Sequence, residues 1–166
     1  KYLLIGLVVT MAPCCVIDTL PSPYVLTSDE AMSSTCFIRS QKSSGTCFHI
    51  GNGRFLTNNH VVMDHYGKYP EFTVNGFKAK VISYNKNSDW ALVICDNLKT
   101  LKAFRVHSKE LELLEKVYSI GWHFGQVKSM SLGHVSNISN DGYVTTTALN
   151  GGCSGGPLLN QEFEVC

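Results

Sequence analysis

Residues Gly151-Gly152-Cys153-Ser154-Gly155-Gly156-Pro157-Leu158 decide how this chain is read. Small residues crowd around one hydroxyl, directly before the apolar pair Leu158 and Leu159. A sharp glycine-rich turn exposes a nucleophile's Oγ and aims backbone N–H groups at one point, which is the wiring of an acyl-transfer site. Cys153 and Ser154 both carry nucleophilic atoms. In this turn type the nucleophile directly precedes Gly-Gly, which selects Ser154 and turns Cys153 inward. A register shift of one residue would instead make Cys153 the nucleophile, as in a cysteine endopeptidase.

Moving outward, such a nucleophile needs a base. His60 follows the strand-like run Phe55-Leu56-Thr57-Asn58 and precedes Val61-Val62. A general base needs an imidazole held on a rigid element, and its activity then rises with pH across the neutral range. The other five histidines, His49, His65, His107, His123 and His134, have no comparable context and are assigned no catalytic role. Asp89 opens Trp90-Ala91-Leu92-Val93-Ile94. A carboxylate at the mouth of an apolar strand is costly without a partner, and orienting an imidazole supplies one. Asp64, four residues after His60, and Asp96, in a turn-like context, are weaker rivals.

From Ala31 onward, short apolar runs alternate with turn residues: CFIRS, TCFHI, RFLTN, EFTVN, FKAKVISY and WALVICD, then KVYSIGW, SLGHVSNI, YVTTTAL, GPLLN and FEVC. Many short strands with regular punctuation point to an all-β barrel or sandwich. Ser108–Glu115 (SKELELLE) is the one helical pattern between two β-rich halves, with Ser108 as a cap. The expected organisation is an apolar segment and linker at 1–28, an N-terminal barrel at 29–98, a connector at 99–115 and a C-terminal barrel at 116–166.

Net charge is +1 and the lysines are scattered, so no basic stripe for nucleic acid is present. The seven cysteines form no Cys-x-x-Cys pair, so neither a metal site nor a cofactor is expected. Their odd count and placement in apolar runs read as mostly free thiols. Residues 2–17 (YLLIGLVVTMAPCCVI) carry no charge. They read as the end of a membrane helix that would tether the chain, with a signal-peptide core or a buried segment as alternatives. Residues 18–29, with Pro21 and Pro23, read as a linker.

Together, His60, Asp89 and Ser154 resemble in order and local sequence the triad of chymotrypsin-fold serine proteases. The resemblance covers residues 31 to 166 and is closest to the HtrA-like branch. It rests on Gly45-Thr46-x-Phe48, Leu56-Thr57-Asn58-x-His60-Val61-Val62, Asp89-x-Ala91-Leu92 and Ala148-Leu149-Asn150-x-Gly152-x-Ser154-Gly155-Gly156-Pro157-Leu158. The compact spacing resembles positive-strand RNA virus polyprotein proteases of the astrovirus type. The resemblance implies two antiparallel six-stranded barrels, the second incomplete because the chain stops soon after Ser154. It implies a serine endopeptidase with Ser154 as nucleophile, His60 as base and Asp89 as its orienter. Gly152 and Ser154 N–H groups would form the oxyanion hole. Thr147, Ala148, Leu149 and Asn150 would line one wall of the S1 pocket. The substrate would be a polypeptide, for a viral enzyme its own polyprotein at host membranes; the alternatives are a cellular HtrA-like or secreted protease, or an inactive module that binds peptides.

Overall fold

Alternation of apolar and polar residues at the strand period builds most of this molecule, a computed structural model that describes residues 25–140 and 142–166. The apolar stretch 2–17 lies outside the described residues, as does most of the linker. Where the linker was expected to continue, a helix begins. Thr27 and Glu30 form a reciprocal capping box: Glu30 N donates to Thr27 Oγ1 at 3.3 Å and Thr27 N to Glu30 Oε2 at 2.9 Å. That starts helix α1 at Ser28–Ser34, and the Thr-x-x-Glu spacing is its sequence signal.

Six strands follow: β1 (Thr35–Ser40), β2 (Ser44–Gly51), β3 (Arg54–Asn58), β4 (Phe72–Val74), β5 (Phe77–Asn85) and β6 (Trp90–Ile94). They close into an antiparallel barrel in the order β1-β2-β3-β6-β5-β4. Its interior holds Cys36, Ile38, Cys47, Phe55, Val74, Ala91 and Val93, all at most 1% exposed. Successive residues face opposite sides of a strand. So Cys47 points into the barrel while Phe48 and Ile50 of the same strand point out, into a second core. That second core also takes Leu26 and Ala31 near the N-terminal helix, Phe104 from the connector, and Ile120, Leu159 and Val165 from the C-terminal half.

The C-terminal half contains β7 (Lys116–His123), β8 (Val127–Ser139), β9 (Gly142–Thr145) and β10 (Leu158–Leu159). They form an open four-stranded sheet in the order β10-β7-β8-β9. The second barrel, expected to be incomplete, is thus an open four-stranded sheet among the described residues. The run at 163–166 makes bridges rather than a strand, pairing Val165 with Val106 and Leu159.

The helix expected at Ser108–Glu115 does not form. The segment is extended and then turns, with Leu114 at φ +67° donating its N–H to Val135 O at 2.8 Å. Eight residues are too few to offset helix nucleation without a packed face. Only Leu111 finds a core, beside Val117 and Val135, while Leu113 and Leu114 are exposed. The five described cysteines carry no disulfide among themselves. Burial pushes the Cys36 thiol up to about 12 and the Cys47 thiol well above the ordinary range, so both remain protonated apolar filler.

Candidate active site

β3 ends at Asn58, and the chain enters a single helical turn, α2 (Asn59–Val62), that carries His60 on its outer side. Val61 and Val62 are buried beneath it and fix the turn against the barrel. Asp89 sits where β5 turns back into β6, with backbone φ +48°. This left-handed conformation is uncommon for residues other than glycine, though Asp and Asn tolerate it best. Asn58 Nδ2 and Asn59 N both donate to the Asp89 carbonyl, at 2.8 and 3.1 Å. The backbone of Asp89 is therefore tied to the residues flanking His60.

The carboxylate completes the pairing. Asp89 Oδ1 accepts His60 N at 2.9 Å, and Oδ2 accepts His60 Nδ1 at 2.6 Å. A carboxylate accepts, so Nδ1 carries a proton, and in the neutral ring the lone pair is on Nε2. The two side chains are 51% and 31% exposed. At that exposure the pair contributes about 0–1 kcal/mol to stability; its chief effect is on ring orientation and tautomer. Asp64 does something else. Its carboxylate accepts the N–H groups of Lys68 and Tyr66, at 2.8 and 3.0 Å, and these bonds hold it below the usual carboxylate range. Asp96 opens a short 3-10 turn.

Ser154 arrives from the other half of the molecule. Thr46 N on β2 donates to Ser154 O at 2.8 Å. Gly155 packs so tightly that a Cβ there would collide with the Thr57 hydroxyl and the Thr46 carbonyl, and it would meet Asn58 N at 2.9 Å. The Ser154-Gly155 step thus docks on the end of β3, beside the start of α2 and its His60. Among the described residues no hydrogen bond joins Ser154 Oγ to the His60 ring, whose ring partner is Asp89.

Upstream, Asn150–Cys153 is a β-turn closed by Cys153 N donating to Asn150 O at 3.0 Å. Gly152, its third residue, has φ +94°, the signature of a type II turn that demands glycine. Thr46 Oγ1 donates to Gly152 O at 2.8 Å and accepts Trp122 N at 3.0 Å, stitching the barrel, the turn and β7 together. Among the described residues, the N–H groups of Gly152 and Ser154 donate to no protein acceptor, whereas those of Cys153 and Gly156 do.

Cys153 turns inward, 7% exposed, with its Sγ 2.7 Å from where a Cβ on Gly121 would fall. Burial raises its thiol, so it is a poor thiolate source. Of the four expected S1 residues, Thr147 is buried with Oγ1 bonded to Thr145 Oγ1 at 2.8 Å. Ala148 is exposed, its N–H donating to Ser131 Oγ at 2.7 Å, and Leu149 is half-buried. Asn150 is exposed, and its amide is engaged by His123 at 2.9 Å. His123, passed over in the sequence, therefore lies against the Asn150–Cys153 turn. It is 27 residues from Asn150, and no local motif marks a contact of that range. Among the described residues, a groove of about 800 Å³ is lined by residues such as Tyr69, Phe72, Lys80 and Tyr84. It shares no residue with this site.

Comparison with known proteins places the chain in a family. Residues 45–166 match the trypsin-like peptidase domain. A probable periplasmic serine endoprotease, DegP-like, from Ectopseudomonas mendocina is 39% identical over 142 residues, covering 76% of this chain and 29% of that protein. A Pseudomonas putida counterpart is 38% identical over 143 residues with the same coverage. The chain thus spans 29% of the length of these curated relatives. The fold is shared with the serine endoprotease from Yersinia pestis, at TM-score 0.71 and 23% identity, covering 86% of this chain and 57% of that one. It is shared also with the active form of the Rv3671c protease from M. tuberculosis, at TM-score 0.70 and 23% identity, covering 82% and 69%. With its closed barrel, its second sheet and a glycine turn docked beside a His-Asp pair, the chain belongs to the trypsin-like peptidase domain family.

Proposed function

We propose that this chain is the protease domain of an HtrA-type serine endopeptidase acting on polypeptides. Ser154 Oγ attacks the scissile carbonyl while His60 Nε2 takes its proton and later passes it to the leaving amine. Asp89 holds the imidazole tautomer and stabilises the imidazolium. The Gly152 and Ser154 N–H groups receive the oxyanion, where losing one donor typically costs about 3 kcal/mol of transition-state stabilisation. The observation that carries this reading is the double contact of Asp89 with His60, to its backbone N–H and its ring. The free N–H groups of the docked turn support it.

The DegP-like relatives favour the HtrA-type alternative over a viral polyprotein protease, which draws no support from them. Their periplasmic descriptions favour a secreted setting. Among the described residues no helix is long and apolar enough to cross a membrane. Cysteine catalysis is disfavoured by the buried, raised Cys153 thiol.

A fluorophosphonate probe tests the assignment. Labelling is expected for the unaltered chain and for Cys153→Ala, and is expected to vanish in Ser154→Ala. Labelling that survives Ser154→Ala, or that depends on Cys153, overturns it.

A further inference from the structure

The β7–β8 hairpin grips the Asn150–Cys153 turn from behind. Its own turn, His123-Phe124-Gly125-Gln126, is closed by Gln126 N donating to His123 O at 3.0 Å. Phe124 and Gly125 have φ +51° and +68°, the two left-handed residues of a type I′ turn. Phenylalanine is a poor choice for such a position, and such backbone strain persists only when the surroundings enforce it. The surroundings here are the nucleophile turn. Phe124 N donates to Gly151 O at 2.5 Å, and the Phe124 ring lies 3.6 Å from where a Gly151 Cβ would stand. Because a trans peptide points its C=O and N–H in opposite directions, fixing Gly151 O toward the hairpin sends Gly152 N–H away from it.

His123 holds the same turn from its start. Asn150 Nδ2 donates to His123 Nδ1 at 2.9 Å, and Cys153 Sγ lies 3.7 Å from the same nitrogen. An amide nitrogen only donates, so Nδ1 accepts and the ring proton sits on Nε2, directed to Ser129 Oγ at 2.6 Å. One imidazole thus ties the first and last residues of the turn to β7 and β8.

We propose that His123 is a positioning residue for the oxyanion hole: through Asn150 and beside Cys153, it holds the turn in the conformation that presents the Gly152 N–H. The proposal rests on Ser154 acting as nucleophile with Gly152 as an oxyanion donor. It places a second histidine in the machinery, one that acts through the turn rather than on the scissile bond. A purely structural histidine would affect stability, whereas this one acts on the transition state, where charge develops on the oxyanion, and hence on kcat.

The test uses steady-state peptide or ester hydrolysis, with fluorophosphonate titration to count active sites. His123→Leu removes the acceptor at similar volume. His123→Gln restores one through its amide oxygen. Asn150→Ala breaks the same contact from the exposed side, where folding is least at risk. Expected are a kcat lowered tenfold or more in His123→Leu and Asn150→Ala, a KM within about threefold, and recovery of most of kcat in His123→Gln. The double variant His123→Leu/Asn150→Ala should be no slower than either single one, since both remove one contact. An undiminished kcat in Asn150→Ala, a loss confined to KM, or additive losses in the double variant overturn the proposal. An unaltered chain that hydrolyses nothing and takes no probe instead defeats the underlying serine-protease reading.

Discussion

Asp89 separates stability from chemistry at the level of a single residue. Its left-handed backbone is one that asparagine adopts as readily, and its carbonyl contacts to Asn58 and Asn59 involve only main chain on its side. Asp89→Asn should therefore melt within a few degrees of the unaltered chain. The new amide presents a donor where Nδ1–H needs an acceptor, favouring the wrong tautomer. A fall in kcat of about ten-thousandfold is expected, read by hydrolysis rates beside a thermal melt. A variant that keeps a tenth of its activity would remove Asp89 from the mechanism. At this scale the sequence was most informative. His60, Asp89 and Ser154 stand in short local patterns, and the structure pairs the first two directly and docks the Ser154 turn beside them. His123 was illegible, because its role comes from a hairpin crossing a turn distant in the chain. Asn58 and Thr46 lay within quoted motifs, yet nothing local revealed that one ties down the Asp89 carbonyl and the other the Gly152 carbonyl.

At the scale of elements, the β2–β3 hairpin contains a second unadvertised histidine. His49 is 1% exposed, its Nδ1 facing Lys102 O at 3.1 Å and its Nε2 accepting Gly53 N at 3.1 Å. Burial holds its pKa below the ordinary value, against the raising effect of its carbonyl contacts. A lowered histidine pKa means the unfolded chain takes up the proton first. The stabilisation is thus complete above the unfolded value of about 6.5 and is lost as pH falls below it. Melting temperature should drop between pH 7.5 and 5.5, and His49→Asn should flatten that slope even if it lowers the whole curve. Parallel slopes for the two proteins would exclude His49 as the source. Strand positions were readable because period-two burial repeats along β1, β3 and β6. The failed helix at Ser108–Glu115 shows the limit of pattern reading: its acidic start and apolar spacing suit a helix, but only Leu111 has a surface to bury against. Helix α1 shows the converse, since a capping box started a helix in a stretch that composition marked as linker.

For the molecule as a whole, the shared core matters more than either sheet. Phe48 and Ile50 leave the barrel wall to meet Ile120, Leu159 and Val165, with Phe104 of the connector between them. Phe104 stacks edge-on against Phe48 at 5.8 Å between centroids. Lys128 of β8 adds a polar tie, donating to Met32 O and Thr35 O at 2.5 and 3.0 Å at the end of α1. The connector is pinned in turn by Val165 N to Arg105 O at 2.8 Å and His107 N to Val165 O at 2.7 Å. This long-range arrangement could not be read from local patterns, which located two β-rich halves but not the surface they bury between them. Separated at the exposed Lys99-Thr100 step, each half would present an apolar face of its own, and each should be poorly soluble alone. Because His60 and Asp89 belong to one half and Ser154 to the other, the proposed mechanism needs both halves. Co-expressed halves should therefore recover probe labelling that neither shows by itself, and labelling of the C-terminal half alone would contradict this. If the proposed triad acts, the join between barrel and sheet would make this protein a natural split reporter, in which turnover itself signals that two separately made pieces have met.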